Sequence, residues 1–407
     1  MKNYFIIKEF RVNDLGKEEA PPAEVPLDCL MKLLHTADLH LDSPFCASGV
    51  LGAQARRAAQ RSVLKRIFAC AEAEGCDLIL IAGDLFDAKY VTPETASFVL
   101  SLLGTATCPV VIAPGNHDPY GSGSFYQSAE LPEQVYVFNS TELQCVELES
   151  LRLRVFGYGF TSPVLRESPL NGQTPPEKGD WFHVLCGHAD LFDPLSRYCP
   201  LTVGDIERFG FDYAALGHVH NRPDKELSDR TCIRYSGFAQ GRSFDELGDG
   251  GVLLVSLEAG QPLLVEWRQI SEERYLTDEL DVSGCDEERG VADAIREAIA
   301  PYEGQKGTHL RLTLTGSADA DETVELAALS GELGAGLGSL ELRDETVPTA
   351  DGARLQKDVT LRGAFYRALY PQLIDEDPAV RRRAILALQI GLAAIEDRRI
   401  PGRRTEP

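Results

Sequence analysis

The stretch Met31-Lys32-Leu33-Leu34-His35-Thr36-Ala37-Asp38-Leu39-His40 decides how the chain reads. An apolar run of strand length ends in an aspartate and a histidine one residue apart, a spacing that lets a carboxylate and an imidazole grip one cation. The arrangement recurs along the chain. Gly83-Asp84-Leu85-Phe86-Asp87 follows the apolar run Cys76 to Ala82, and Gly115-Asn116-His117-Asp118 follows Cys108 to Ala113. Gly187-His188 and Gly217-His218-Val219-His220 follow the runs Phe182 to Cys186 and Tyr213 to Leu216. Polar residues on loops at the C-terminal ends of strands are where α/β folds build sites, so these blocks are expected to converge. In the third block Gly115 is expected to permit a sharp turn that aims an amide oxygen and an imidazole into the same space.

Aspartate, asparagine and histidine donors without thiolate suit manganese, iron or zinc in a site open to water, rather than a closed structural zinc. The number of ligand slots suits two metals.

Outward from these blocks, apolar β-like runs alternate with helical segments, as in a layered α/β domain. Ala53 to Glu74 reads as an amphipathic helix, and Thr92-Pro93-Glu94 supplies the N-cap, N1 proline and acidic first turn of the next. Further strands are predicted at Val135 to Phe138, Leu143 to Glu147, Leu153 to Phe156, Cys232 to Tyr235, Val252 to Leu257 and Leu263 to Arg268, which implies two sheets packed face to face. After Ile270 no further ligand block occurs and a β-α-β-α-β order runs through Val347. Two helices follow, Thr360 to Leu369 and Asp377 to Ile395, the second with Asp377 as N-cap and an apolar stripe of Val380, Ala384, Leu388, Leu392 and Ile395. Residues 1–30, with Pro21, Pro22 and Pro26, read as an extended leader, and Met31 is a candidate alternative start. The expected domains are therefore 1–30, 31–270, 271–348 and 349–407.

The 407 residues are 43% hydrophobic and 25% charged, the composition of a globular chain, and no apolar run approaches the ~18 residues that span a bilayer. No secretory cleavage site follows the N-terminus, so a cytoplasmic location is expected. Cysteines are scattered without a C-x-x-C pair and are expected to be reduced thiols. A net charge of -23 argues against a large nonspecific nucleic-acid surface. Against that background, the segment between Asp42 and Glu72 lacks acidic residues and holds Arg56, Arg57, Arg61, Lys65 and Arg66. These follow the first ligand loop and are candidates for steering a phosphate backbone, with a solvated helix face as the alternative. Arg381, Arg382, Arg383, Arg398 and Arg399 read as helix surface or partner contact.

The ordered blocks D-x-H, G-D-x-x-D, G-N-H-D, G-H and G-H-x-H over residues 35 to 220 resemble the signature of the calcineurin-like metallophosphoesterase superfamily. The resemblance implies a four-layer α-β-β-α sandwich with a small α+β capping domain and C-terminal helices. It implies that Asp38, His40, Asp84 and His220 hold one metal, and Asp84, Asn116, His188 and His218 the other, with Asp84 as the bridge. Manganese is the expected ion, with iron or zinc as alternatives. His117 is then the non-ligand acid that assists the leaving oxygen, and Asp87 either orients its ring or caps a helix. His35, His183, Asp42 and Asp118 read as packing or loop-fixing residues, and His309 falls outside the site.

The run His35 to Phe45, with Tyr235-Ser236-Gly237 and Gln240-Gly241-Arg242, narrows the resemblance to the SbcD-type DNA repair exonucleases, in particular their YhaO-like branch. That implies DNA as substrate, by exonuclease or endonuclease action, and an SbcC-type ATPase as partner; the apolar stripe on Asp377 to Ile395 is equally compatible with a homodimer, a coiled coil with the ATPase or intramolecular packing. The alternative is a cytoplasmic phosphodiesterase or phosphatase acting on nucleotides, other small molecules or phosphoproteins.

Overall fold

The computed structural model describes residues 5–10, 30–45, 49–223, 225–283, 285, 290–318, 326–348 and 352–395. The chain divides into two compact units, Met1–Arg274 and Tyr275–Pro407.

The first unit contains β1 (Phe5–Phe10), β2 (Met31–Thr36), α1 (Gly49–Glu74), β3 (Leu78–Ile81), α2 (Pro93–Gly104), β4 (Val110–Ile112) and α3 (Phe125–Ser128). It continues with β5 (Val135–Val137), β6 (Gln144–Leu148), β7 (Leu153–Gly157), β8 (Phe182–His188), α4 (Val203–Phe209), β9 (Tyr213–Gly217), β10 (Cys232–Tyr235), β11 (Gly251–Leu257) and β12 (Leu264–Gln269). Two six-stranded sheets result, ordered β12-β11-β2-β3-β4-β5 and β1-β6-β7-β8-β9-β10. Strands β2 to β5 are parallel and joined through helices, as parallel pairing requires.

Strand alternation explains the layering. Leu33, Leu78 and Val111 of the first sheet share an apolar layer with Val146, Val155, Val184 and Tyr213 of the second, so the sheets pack face to face. The neighbouring residues Leu34, Ile79 and Val110 point the other way, onto Val63, Leu64 and Ile67 of α1 and Val99 and Leu103 of α2. On the far side of the second sheet, Phe156, Leu185 and Ala214 meet Ile206 and Phe209 of α4. Both faces of the central strands of each sheet are thus covered, which is why those strands read as continuous apolar runs. Thr92 caps α2 as predicted, its side chain accepting from the Thr95 amide.

One expectation changes. Residues 1–30 read as a leader, but Phe5–Phe10 forms an edge strand parallel to β6, with Phe5 opposite Gln144 and Phe10 opposite Leu148. The partner lies far away in sequence and offers an otherwise open strand edge, so composition carried no sign of it. Residues 11–29 lie outside the described residues.

The second unit holds two small cores. Strand β13 (Arg274–Asp281) enters it, and α5 (Val291–Ile299), β14 (Thr308–Thr315), β15 (Ser317–Ala318), α6 (Leu326–Leu333), β16 (Ser339–Asp344) and β17 (Val347–Pro348) follow. Ile295, Leu310, Leu312 and Leu340 centre the first core. Then α7 (Gly352–Lys357), α8 (Leu361–Leu373) and α9 (Pro378–Ile395) pack through Leu355, Tyr366, Leu388 and Leu392. Asp377 accepts from the Ala379 amide at the start of α9, as an N-cap should. No helix among the described residues is long and apolar enough to cross a membrane.

Candidate metal centre

The blocks predicted to converge do so at the C-terminal ends of β2, β3, β4, β8 and β9. The backbone there is forced into an uncommon conformation: Asp38, His40, Asp84 and His218 have φ values of 54°, 46°, 51° and 101°. Left-handed backbone costs a residue with a Cβ about 1–2 kcal/mol, and its clustering on four candidate ligands marks strain held in place by the surrounding fold. Asp38 N donates to Gly83 O at 3.1 Å and His40 N to Asp84 O at 2.9 Å, so the first and second blocks lock each other.

Gly115 serves a different purpose from the one its sequence suggested. Its φ is not positive; a Cβ there would lie 2.2 Å from Asp84 Oδ1, and the residue is glycine because the asparagine loop presses against that carboxylate. The loop's shape comes instead from Asp118, buried, which accepts from Gly115 N at 2.8 Å, Phe86 N at 3.1 Å and Tyr126 Oη at 2.5 Å.

Three groups of side chains each bring potential ligand atoms within 4.8 Å of one another: Asp38, His40 and His220; His40, Asp84 and His117; and Asp38, Asp84 and His188. Asn116 Oδ1 sits 3.0 Å from His188 Nε2, placing the amide oxygen at the third group. His218 belongs to none of the groups. Its backbone amide donates to both Asp38 carboxylate oxygens at 3.1 Å, its ring lies 5.2 Å from that of His188, and its Nε2 is 3.8 Å from Asp190 Oδ2.

The donor chemistry fits cations. His188 Nδ1 lies 3.0 Å from the Ala82 carbonyl, which only accepts, so Nδ1 keeps its proton and Nε2, 3.3 Å from Asp84 Oδ2, is the nitrogen that a cation can take. His220 Nδ1 is likewise committed to Glu246 Oε1 at 2.7 Å, so its Nε2, 3.2 Å from His40 Nε2, is the nitrogen that a cation can take. The second ring nitrogen of His40, Nδ1, is buried without a partner. A buried ring nitrogen without a partner is costly, and a cation between the rings would take the facing nitrogens as ligands once they are deprotonated.

Ionisation follows burial and neighbours. Burial holds His40 down to about 3. Burial lifts the Asp38 carboxyl to about 6, against the pull of His188 and His220. For His188 burial alone would lower the pKa, but Asp84 and Asp38 outweigh it and raise it to about 9. Burial would raise Asp84, yet the charge and hydrogen bond of His188 take it far below the carboxylate range.

His117 is the open side of the site, its side chain 45% exposed. Its Nδ1 is hydrogen-bonded to Asp87 Oδ1 at 3.0 Å, and that bond raises its pKa. Asp87 makes no side-chain cap on the short helical turn after it.

Other predicted residues are placed plainly. Asp42 accepts from Thr92 N, Thr92 Oγ1 and Thr95 Oγ1 and fixes the loop. His35 is buried with Nδ1 2.8 Å from Tyr213 Oη, His183 packs edge-on to Phe156, and His309 stacks on Tyr275 in the other unit. In the basic set, Arg61 pairs with Glu94 and Arg66 with Glu272, Arg56 donates to Arg242 O and Arg57 to Ser43 O, and Lys65 is exposed. Sequence reading passed over Glu246, because a carboxylate in a polar loop carries no motif of its own.

The sequence profile of the calcineurin-like phosphoesterases matches residues 31–222. An uncharacterised metallophosphoesterase of Bacillus subtilis (strain 168), YhaO, is 32% identical over 246 residues, covering 56% of this chain and 58% of that protein, so little more than half of that relative is spanned. The SbcD component of the SbcCD nuclease of Staphylococcus epidermidis is 26% identical over 318 residues, covering 70% of this chain and 79% of that protein. Among solved structures, a dimetal phosphatase from Danio rerio shares 10% identity at a TM-score of 0.40, over 59% of this chain and 96% of that one. All of the candidate ligands lie inside the matched span, so it is residues 31–222 that carry the calcineurin-like phosphoesterase domain.

Proposed function

We propose that the chain is a two-metal phosphodiesterase acting on DNA, working beside an SbcC-type ATPase. The observation that carries the chemistry is the convergence of Asp38, His40, Asp84, Asn116, His188 and His220 on one buried locus with His117 at its open edge. Asp38, His40, Asp84 and His220 would hold one divalent cation, and Asp84, Asn116, His188 and His218 the other, manganese being our choice. When bound, such a pair supplies positive charge for the phosphoryl oxygens and a nucleophilic water at neutral pH.

The chain's own residues supply the rest. Asp87 holds the His117 ring by Nδ1 and leaves Nε2 for the leaving oxygen. Because that bond favours the protonated ring, His117 is suited to donate a proton as the phosphoester bond breaks. Ser43 Oγ lies 3.2 Å from Asp87 Oδ2 and steadies the same carboxylate.

DNA as substrate is supported by the nuclease component among the relatives. A second reading, a phosphodiesterase for nucleotides or other small phosphoesters, is favoured by the basic helix: four of its five cations already have partners within the protein and offer less to a phosphate backbone. The deciding experiment is manganese-dependent degradation of end-labelled linear duplex DNA by the purified chain, beside His117→Ala. DNA hydrolysis that drops about 10²- to 10⁴-fold in the variant, with metal content unchanged, supports the nuclease. Intact DNA alongside rapid cleavage of a nucleotide phosphodiester selects the second reading.

A further inference from the structure

Arg242 stands at the edge of the metal centre between Glu246, Ser43 and His220. Its Nε donates to Glu246 Oε1 at 3.0 Å and its Nη2 to the same oxygen, its Nη1 donates to Ser43 Oγ at 3.4 Å, and its Nη2 is also 3.2 Å from His220 Nδ1. The last contact is no hydrogen bond, since that nitrogen's proton goes to Glu246. A guanidinium has five N–H donors, of which Glu246 takes two and Ser43 one, leaving one N–H on each terminal nitrogen to point toward the site. The side chain keeps 20% of its surface open, while the Glu246 side chain beneath it keeps 4%.

This cation is held rigidly. The Arg242 amide donates to Glu246 Oε2 at 2.7 Å and the Glu246 amide to Ser243 O at 3.1 Å, closing a tight loop around the carboxylate. One carboxylate therefore orients both the guanidinium and His220. Two carboxylates among the proposed ligands only half-neutralise two divalent ions, Glu246 offsets Arg242, and the remaining positive surplus calls for an anion. A planar guanidinium edge matches two phosphoryl oxygens.

We propose that Arg242 grips a non-bridging oxygen of the substrate phosphate at the metal centre, with Glu246 as the positioning residue that fixes Arg242 and His220 together. This rests on the phosphoesterase reading above and adds to it the residue that recognises the phosphate.

The test is calorimetric titration of inorganic phosphate into the manganese-loaded chain, with Arg242→Gln, Arg242→Lys and Glu246→Gln alongside and manganese stoichiometry measured for each. Arg242→Gln should bind manganese as the wild type does, weaken phosphate about tenfold or more, and raise KM for a phosphodiester more than it lowers kcat. Arg242→Lys, which retains charge but not the planar edge, should fall between, and decides the matter if the glutamine variant does not fold. Glu246→Gln should weaken manganese at one site about 10- to 100-fold, since His220 loses its charged partner. Unchanged phosphate affinity in both Arg242 variants overturns the assignment, as does loss of manganese from them, which would make the arginine a tether. If the manganese-loaded wild type binds no phosphate, the phosphoesterase reading fails together with the arginine.

Discussion

His117 Nδ1 and Asp87 Oδ1 are hydrogen-bonded at 3.0 Å, on the exposed edge of an otherwise buried cluster. The carboxylate raises the imidazole pKa, and burial opposes it. If the protonated ring donates to the leaving group, activity declines as pH rises through the His117 pKa. Asp87→Asn removes the charge that favours the protonated form, so the alkaline limb of the rate profile should move to lower pH, with activity down about 10- to 100-fold. A pH-rate profile of the variant checks this; an unmoved alkaline limb would show that Asp87 does not set the working proton.

Metal uptake should release protons. In the metal-free protein His188 is raised to about 9, and its Nε2 must be bare to bind a cation. Affinity should therefore climb with pH up to about 9 and flatten above it. Calorimetry of manganese binding at pH 7 in buffers of different ionisation enthalpy should report proton release, and the same experiment above pH 9 should report less from this group. Chelation should abolish phosphodiesterase activity and manganese should restore it.

Gly115→Ala tests the close approach. A methyl group there meets Asp84 Oδ1 at 2.2 Å and the Asp84 amide at 2.7 Å, so the asparagine loop or the carboxylate must move. Reduced manganese content by elemental analysis is expected, together with a lowered melting temperature. Full metal content in a stable variant would mean that the loop yields without cost.

Asp42→Ala probes a residue kept away from the metals. Its carboxylate takes donors from Thr92 and Thr95, both at the start of α2. Removing it leaves the Thr92 amide without that partner and strips two hydroxyls of their acceptor. A loss of at least about 2 kcal/mol in denaturant unfolding is expected, at about 1–3 kcal/mol for each buried group left unsatisfied. Metal affinity per folded molecule should change little.

The sequence by itself determined β2, β3, β4, β8 and β9, since each of these apolar runs is bounded by the polar block it presents, and the shared placement of those blocks sufficed to foresee that they converge at the strand ends. It determined the capped start of α2 and of α9, because capping is local chemistry between residues three or fewer apart. Only the tertiary structure decided what depends on non-local approach. Asp87 could have been a cap or a partner, and the distance to His117 across two loops selects the partner. Gly115 could have been a turn residue, and the Asp84 carboxylate against it shows a steric requirement instead. Phe5–Phe10 finds its strand partner more than a hundred residues away in β6. Four arginines that read as a free basic stripe are drawn onto Glu94, Glu272 and two backbone carbonyls, because folding brings acceptors that the linear sequence keeps distant. Glu246 emerges for the same reason: its function lies in the hydrogen bonds it makes to His220 and Arg242, and only the packed β10–β11 connection brings the carboxylate under the His220 ring.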